Sequence, residues 1–133
     1  MPVENTSRPL EKLLEKAQGD PDILAVILLG SMARGEQTPA SDVDVCLVLQ
    51  EQKYSALTLS NKKLDYVTLG PLDVHIFQQL PLYIRRRVLK DGQVLFVHDV
   101  DELYALAFRT VQAFEDFKPL YYMYLAEVAR AGS

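Results

Sequence analysis

Apolar residues follow two rhythms along this chain, one of short continuous runs and one of helical spacing. The runs Ile23–Leu29, Val43–Leu49, Leu72–Phe77 and Val94–Val97 read as strands. The first is apolar throughout, as in a strand covered on both faces. Between them lie stretches with helical periodicity. From Pro9, which suits a first helical turn, Leu10, Leu13, Leu14 and Ala17 form one stripe, stopped by Gly19 to Pro21. Residues 1–8 are polar and are expected to be a flexible tail. Tyr54–Leu69 suggests a helix buried on Leu57, Leu64 and Val67, against the preference of Thr58, Ser60 and Asn61. Pro81–Lys90 turns Leu82, Val88 and Leu89 inward and ends at Asp91-Gly92. Asp99 or Asp101 then caps a long helix whose broad face carries Leu103, Leu106, Ala107, Thr110, Phe114 and Phe117, until Pro119 interrupts it and a last helix, Leu120–Ala129, begins. These elements predict an α/β (α+β) chain: one domain over residues 1–133, with a small mixed sheet of about four strands flanked by helices.

The chemistry is concentrated where the first strand ends and the second begins. Gly30 permits a tight turn, after which Ser31 opens a helix whose first N–H groups and hydroxyl face one concavity, an arrangement suited to phosphate. Asp42 and Asp44 flank Val43 at the start of the second run, and residues two apart on a strand share a face. Two carboxylates at about 4 Å in an effective dielectric near 20 repel by roughly 4 kcal/mol, so the pair must hold a cation, keep a proton or splay. Mg²⁺ held by carboxylates and substrate phosphates resolves the conflict beside a phosphate-cradling turn.

Gly30-Ser31, then Asp42-Val43-Asp44, with Ala33-Arg34-Gly35 and Ser41 between, resemble the signature of the polymerase-beta-like nucleotidyltransferases. The closest likeness is to the minimal nucleotidyltransferases, the MNT antitoxins of HEPN/MNT toxin-antitoxin pairs. Length, motif position, Asp73 and Lys90-Asp91-Gly92 extend the likeness to about residues 9 to 125, and Met32 stands where many members have an aromatic or other bulky residue. The resemblance implies the polymerase-beta-like fold, with Asp73 as a third carboxylate completing a two-ion Mg²⁺ site with Asp42 and Asp44. It also implies ATP as substrate, its phosphates held by Gly30 and Ser31, and transfer of AMP to a tyrosine of a HEPN toxin. Asp65 is the lesser candidate for the third carboxylate.

Other residues remain open. Arg34 either meets the triphosphate, pairs with Glu36 or anchors the following loop, and Ser41 reads first as a residue orienting the Asp-x-Asp turn. His75 shares a strand face with Asp73 yet reads as a core or edge histidine before a site residue, and Arg85 to Arg87 read as a solvated face available to an acidic partner. The net charge of −4 argues against a dedicated nucleic-acid binder. The lone Cys46 excludes an internal disulfide, and the lack of a signal-like or membrane-length apolar run gives a cytoplasmic expectation with no membrane contact. Two other functions stay in view: an antitoxin that only covers its toxin, and a nucleotidyltransferase for a small molecule, whose pocket a homodimer would have to complete. The tyrosines at 121, 122 and 124 are dense for a chain without Trp and predict a surface for the toxin or a second copy.

Overall fold

The computed structural model describes residues 4–29 and 43–131. In chain order these form α1 (Glu4–Gln18), β1 (Ile23–Leu28), β2 (Val43–Leu49), α2 (Ala56–Val67), β3 (Leu72–Ile76), a 3-10 turn (Phe77–Gln79), α3 (Leu82–Asp91), β4 (Gln93–Val97) and α4 (Val100–Ala131). The four strands make one mixed sheet in the order β3-β2-β1-β4, with β1 antiparallel to both neighbours and β2 parallel to β3.

The alternation of β2 divides the core. Val43, Val45, Leu47 and Leu49 pack with Leu13 and Ala17 of α1 and Tyr66 of α2 on one face, and Cys46 and Val48 pack with Phe77, Val88 of α3 and Leu106 of α4 on the other. β1 is buried along its whole length because both layers meet on it, which explains its unbroken apolar composition. At the far end of β2 the Leu49 N–H donates to Gln78 Oε1 at 3.2 Å and Gln78 Nε2 donates to Leu49 O at 3.0 Å. This amide therefore closes the strand against the turn after β3. It also accounts for Phe77, expected as the last strand residue, opening that turn instead.

Three other expectations are corrected. α1 begins at Glu4 within the expected tail, so Pro9 lies inside the helix rather than in its first turn. Pro9 is buried, and a Cβ on Gly70 would stand only 2.8 Å from its ring. Packing against the Gly70 turn, where φ is +152°, thus offsets the lost N–H. α2 turns away from the expected stripe: Leu57 and Leu64 are 70% and 60% exposed, and Tyr66 is buried instead. Tyr66 wins because its hydroxyl has a partner. It donates to Asp20 Oδ2 at 2.8 Å, while Lys62 Nζ lies 3.0 Å from both Asp20 Oδ2 and Asp22 Oδ2. Ser55 caps α2, accepting from the Thr58 N–H at 3.1 Å. Finally, α4 runs straight through Pro119 as one helix of 32 residues. Proline removes one N–H there, and the exposed setting leaves the freed carbonyl open to water. Asp99 caps α4 as expected, accepting from the Glu102 N–H at 3.2 Å.

Two consequences can be measured. A Cβ on Gly92, at the end of α3, would lie 2.3 Å from Ile27 Cγ2 and 2.6 Å from the Val88 carbonyl oxygen, whereas at Gly19 nothing is nearer than 3.8 Å. In urea unfolding, Gly92→Ala should cost about 1–3 kcal/mol, and Gly19→Ala should change stability by less than about 0.5 kcal/mol. The second concerns Asp20. Burial alone would raise its pKa, but the Asp22 N–H, Lys62 and Tyr66 hold it below the ordinary carboxylate value. Its stabilisation is therefore complete above the unfolded-state pKa and is lost as pH falls through the lowered folded value. Stability of the wild type should decline over that acid range, and Asp20→Asn should flatten the decline while lowering stability at neutral pH.

Candidate metal and nucleotide site

Parallel pairing of β2 with β3 sets Asp44 directly beside Asp73 and Cys46 beside His75. Because alternate residues share a face, Asp44, Asp73 and His75 converge at the sheet edge where β1 ends. The Leu29 N–H donates to the Asp44 carbonyl at 2.9 Å, tying the end of β1 to this point. His75 Nε2 lies 3.4 Å from Asp73 Oδ2 and 3.7 Å from Asp44 Oδ1, and one ligand atom from each residue falls within 4.8 Å of the others.

These separations suit a shared cation. Donors bonded at about 2.1 Å to one ion stand roughly 3.0 Å apart at octahedral and 3.4 Å apart at tetrahedral angles, so little movement is needed to close the three around a metal. The electrostatics point the same way. Burial, and then the adjacent Asp73 carboxylate, hold the Asp44 carboxyl above the ordinary range, with His75 offsetting part of the rise. A raised carboxylate contributes stability below its unfolded pKa and loses it as pH rises through the folded value, so once ionised Asp44 opposes folding. A divalent cation removes that opposition. The neighbouring thiol is no competitor as a ligand, since burial pushes Cys46 up to about 12.

Asp44 and Asp73 are thus brought together as the sequence predicts. Asp42, Gly30, Ser31, Arg34 and Ser41 lie outside the described residues. Asp65 is exposed on α2 and takes no part in the cluster. His75 is half-buried on the edge strand β3, as one of its two readings expected, and its Nε2 also comes within 3.4 Å of Asp73. Its signal was the two-residue spacing from Asp73, which becomes decisive only once β3 is known to pair with β2.

Facing carboxylates on adjacent strands, at the edge where β1 ends, are an arrangement suited to metal-assisted chemistry on phosphate. The sequence over residues 11–101 matches the family model described as polymerase beta nucleotidyltransferase, and the chain belongs to that family. A candidate protein adenylyltransferase of Methanocaldococcus jannaschii is 32% identical over 79 residues, covering 59% of this chain and 60% of that relative. Among solved structures, a chain of a toxin-antitoxin complex with AMP-PNP superposes with a TM-score of 0.68 at 18% identity, over 92% of this chain and 97% of that one. A chain from the complex of tri-AMPylated Shewanella oneidensis HEPN toxin with MNT antitoxin gives 0.66 at 14% identity, over 97% and 99%. A nucleotidyltransferase of Sulfolobus solfataricus gives 0.52 at 22% identity, over 72% and 86%. At these identities the solved structures establish the polymerase-beta-like fold.

Calorimetric titration with Mn²⁺ tests the donor set. His75→Ala should weaken binding by roughly tenfold or more. Asp73→Asn should abolish binding while leaving the metal-free melting temperature equal or higher, because one of two repelling carboxylates is gone. Unchanged Mn²⁺ affinity in His75→Ala would remove His75 from the ligand set.

Proposed function

We propose that this chain is a Mg²⁺-dependent adenylyltransferase that acts as an antitoxin, transferring AMP from ATP to a tyrosine hydroxyl of a HEPN-family toxin. The observation that carries this reading is the in-register pair Asp44 and Asp73 in a chain of the polymerase-beta family. It is supported by the likeness to a candidate adenylyltransferase and to a chain crystallised with an AMPylated HEPN toxin.

Asp42, Asp44 and Asp73, with His75 beside them, are the residues that would hold the metal, and Gly30 and Ser31, with Arg34 and Ser41 nearby, those that would receive the triphosphate. Bound there, Mg²⁺ supplies Lewis-acid stabilisation of the phosphate charge and lowers the pKa of an acceptor hydroxyl. Asp73, more exposed than Asp44, stands where an acceptor can reach it and takes up the hydroxyl proton. The acceptor oxygen then forms its bond to the α-phosphorus as the bond to the bridging oxygen breaks, and pyrophosphate carries away the electron pair. The remaining contribution of the fold is alignment, since displacement at phosphorus asks mainly for in-line geometry and charge stabilisation.

A protein acceptor is supported by the apolar surface that α4 exposes. A cavity of about 480 Å³ is lined by Glu51, Phe77, Gln78, Arg85 and Arg109, beyond the opposite ends of β2 and β3. By contrast, α4 carries Phe117, Leu120, Tyr124 and Val128 exposed along the continuation of its buried face, past Phe114, the last buried residue of this helix among those described. Phe117 and Tyr124 also line an apolar hollow of about 390 Å³ with Tyr83. A helical partner can cover that strip. The same strip would serve an antitoxin that inhibits by coverage alone, so the decisive experiment separates contact from chemistry. Incubation with α-labelled ATP, Mg²⁺ and a HEPN-family toxin should label a toxin tyrosine. Asp44→Asn should bind the toxin undiminished yet transfer at least a hundredfold less. Full neutralisation of the toxin by Asp44→Asn with no label in the wild-type reaction would establish coverage instead.

A further inference from the structure

The helix α4 spans about 48 Å at 1.5 Å per residue, more than twice the length of the strands beneath it. Its buried residues, Leu106, Thr110 and Phe114, occupy one face. Tyr122 and Tyr124, two positions apart, diverge by about 160° around the axis, so a single partner helix does not engage both. Tyr124 continues the buried face. Tyr122 belongs instead to a lateral stripe with Tyr104, Phe108, Val111 and Leu125, whose exposures run from 41% to 71%.

This stripe has coiled-coil spacing. The steps from 104 to 108, 111, 115, 118, 122, 125 and 129 alternate four and three residues, and its two central positions are Glu115 and Lys118. We infer that α4 uses this lateral stripe to pair with the α4 of a second copy of the chain, antiparallel and about a twofold axis between positions 115 and 118. In that register Glu115 faces Lys118 of the second copy twice over, Val111 meets Tyr122, Phe108 meets Leu125, and Tyr104 meets the small Ala129. Apolar groups face apolar groups at the outer steps and opposite charges face each other at the two central ones, as a self-complementary interface requires.

Charge fixes the direction. Within one chain Lys118 Nζ lies 3.7 Å from Glu115 Oε2, an exposed pair that contributes little alone and needs only a rotamer change to reach across the axis. A parallel pair would set Glu115 against Glu115 and Lys118 against Lys118, which penalises that orientation. Pro119 is not a member of the stripe, so its missing N–H does not interrupt the contacts. The inference is independent of catalysis, and it leaves the strip of Phe117, Leu120, Tyr124 and Val128 clear for a different partner.

Sedimentation velocity on the full chain tests it. The wild type should sediment as a dimer at tens of micromolar, and Phe108→Glu should sediment as a monomer with an unchanged melting curve, since Phe108 is 70% exposed. Glu115→Lys and Lys118→Glu should each raise the dimer dissociation constant at least tenfold, and the double exchange E115K/K118E should restore it. Paired cysteines, Val111→Cys with Tyr122→Cys, should cross-link two chains under mild oxidation, with buried Cys46 unreactive. A monomeric wild type up to about 200 μM, or a dimer indifferent to both single charge reversals, would overturn the proposal.

Discussion

The parallel pairing of β2 with β3 is the constraint on which the rest depends. It sets two carboxylates side by side, Asp44 against Asp73, at a cost that the surrounding fold must carry whenever no cation is present. The fold meets that cost at a distance from the site. Val43, Val45, Leu47 and Leu49 bury one face of β2, Cys46 and Val48 bury the other, and Gln78 fastens its far end. The strain is confined to one sheet edge because the remaining length of the strand is held on all sides.

The helices divide their labour accordingly. On one layer α2 is tied to the turn after α1 by Asp20, Lys62 and Tyr66, a cluster of charges paired apart from the candidate site. On the other layer α3 and α4 cover the face from which Asp44, Asp73 and His75 project. The site therefore borders the layer that also carries the exposed apolar strip, and a partner lying along α4 is on the carboxylate side of the sheet.

Much of this was legible in the residues. The four strands and the capped start of α4 follow from short apolar runs and a capping aspartate, signals with a period or a chemistry of their own, whereas the pairing of Asp44 with Asp73 was implied only by the family resemblance. The failures share one cause, a preference decided by a distant contact. Nothing near Pro9 announces that Gly70 will leave room for its ring, and nothing within α2 says that Asp20 will draw Tyr66 inward past Leu64. The nearness of His75 to both carboxylates was hidden for the same reason: a histidine two residues from an aspartate acquires meaning only from the strand beside it. Pro119 was overvalued, because a missing N–H ends a helix only where the freed carbonyl has no solvent to turn to.

The alternation within β2 carries a consequence for how such a chain can vary. Odd positions from Val43 to Leu49 belong to one core and even positions to the other, with Asp44 the single charged residue among them. Loss or gain of one residue inside the strand would turn Asp44 into the apolar layer of α1 and α2 and push a valine or leucine toward the site, so the chain would misfold before it could persist as an inactive enzyme. The requirement to fold is therefore enough to hold Asp44 on the side of β2 that faces Asp73.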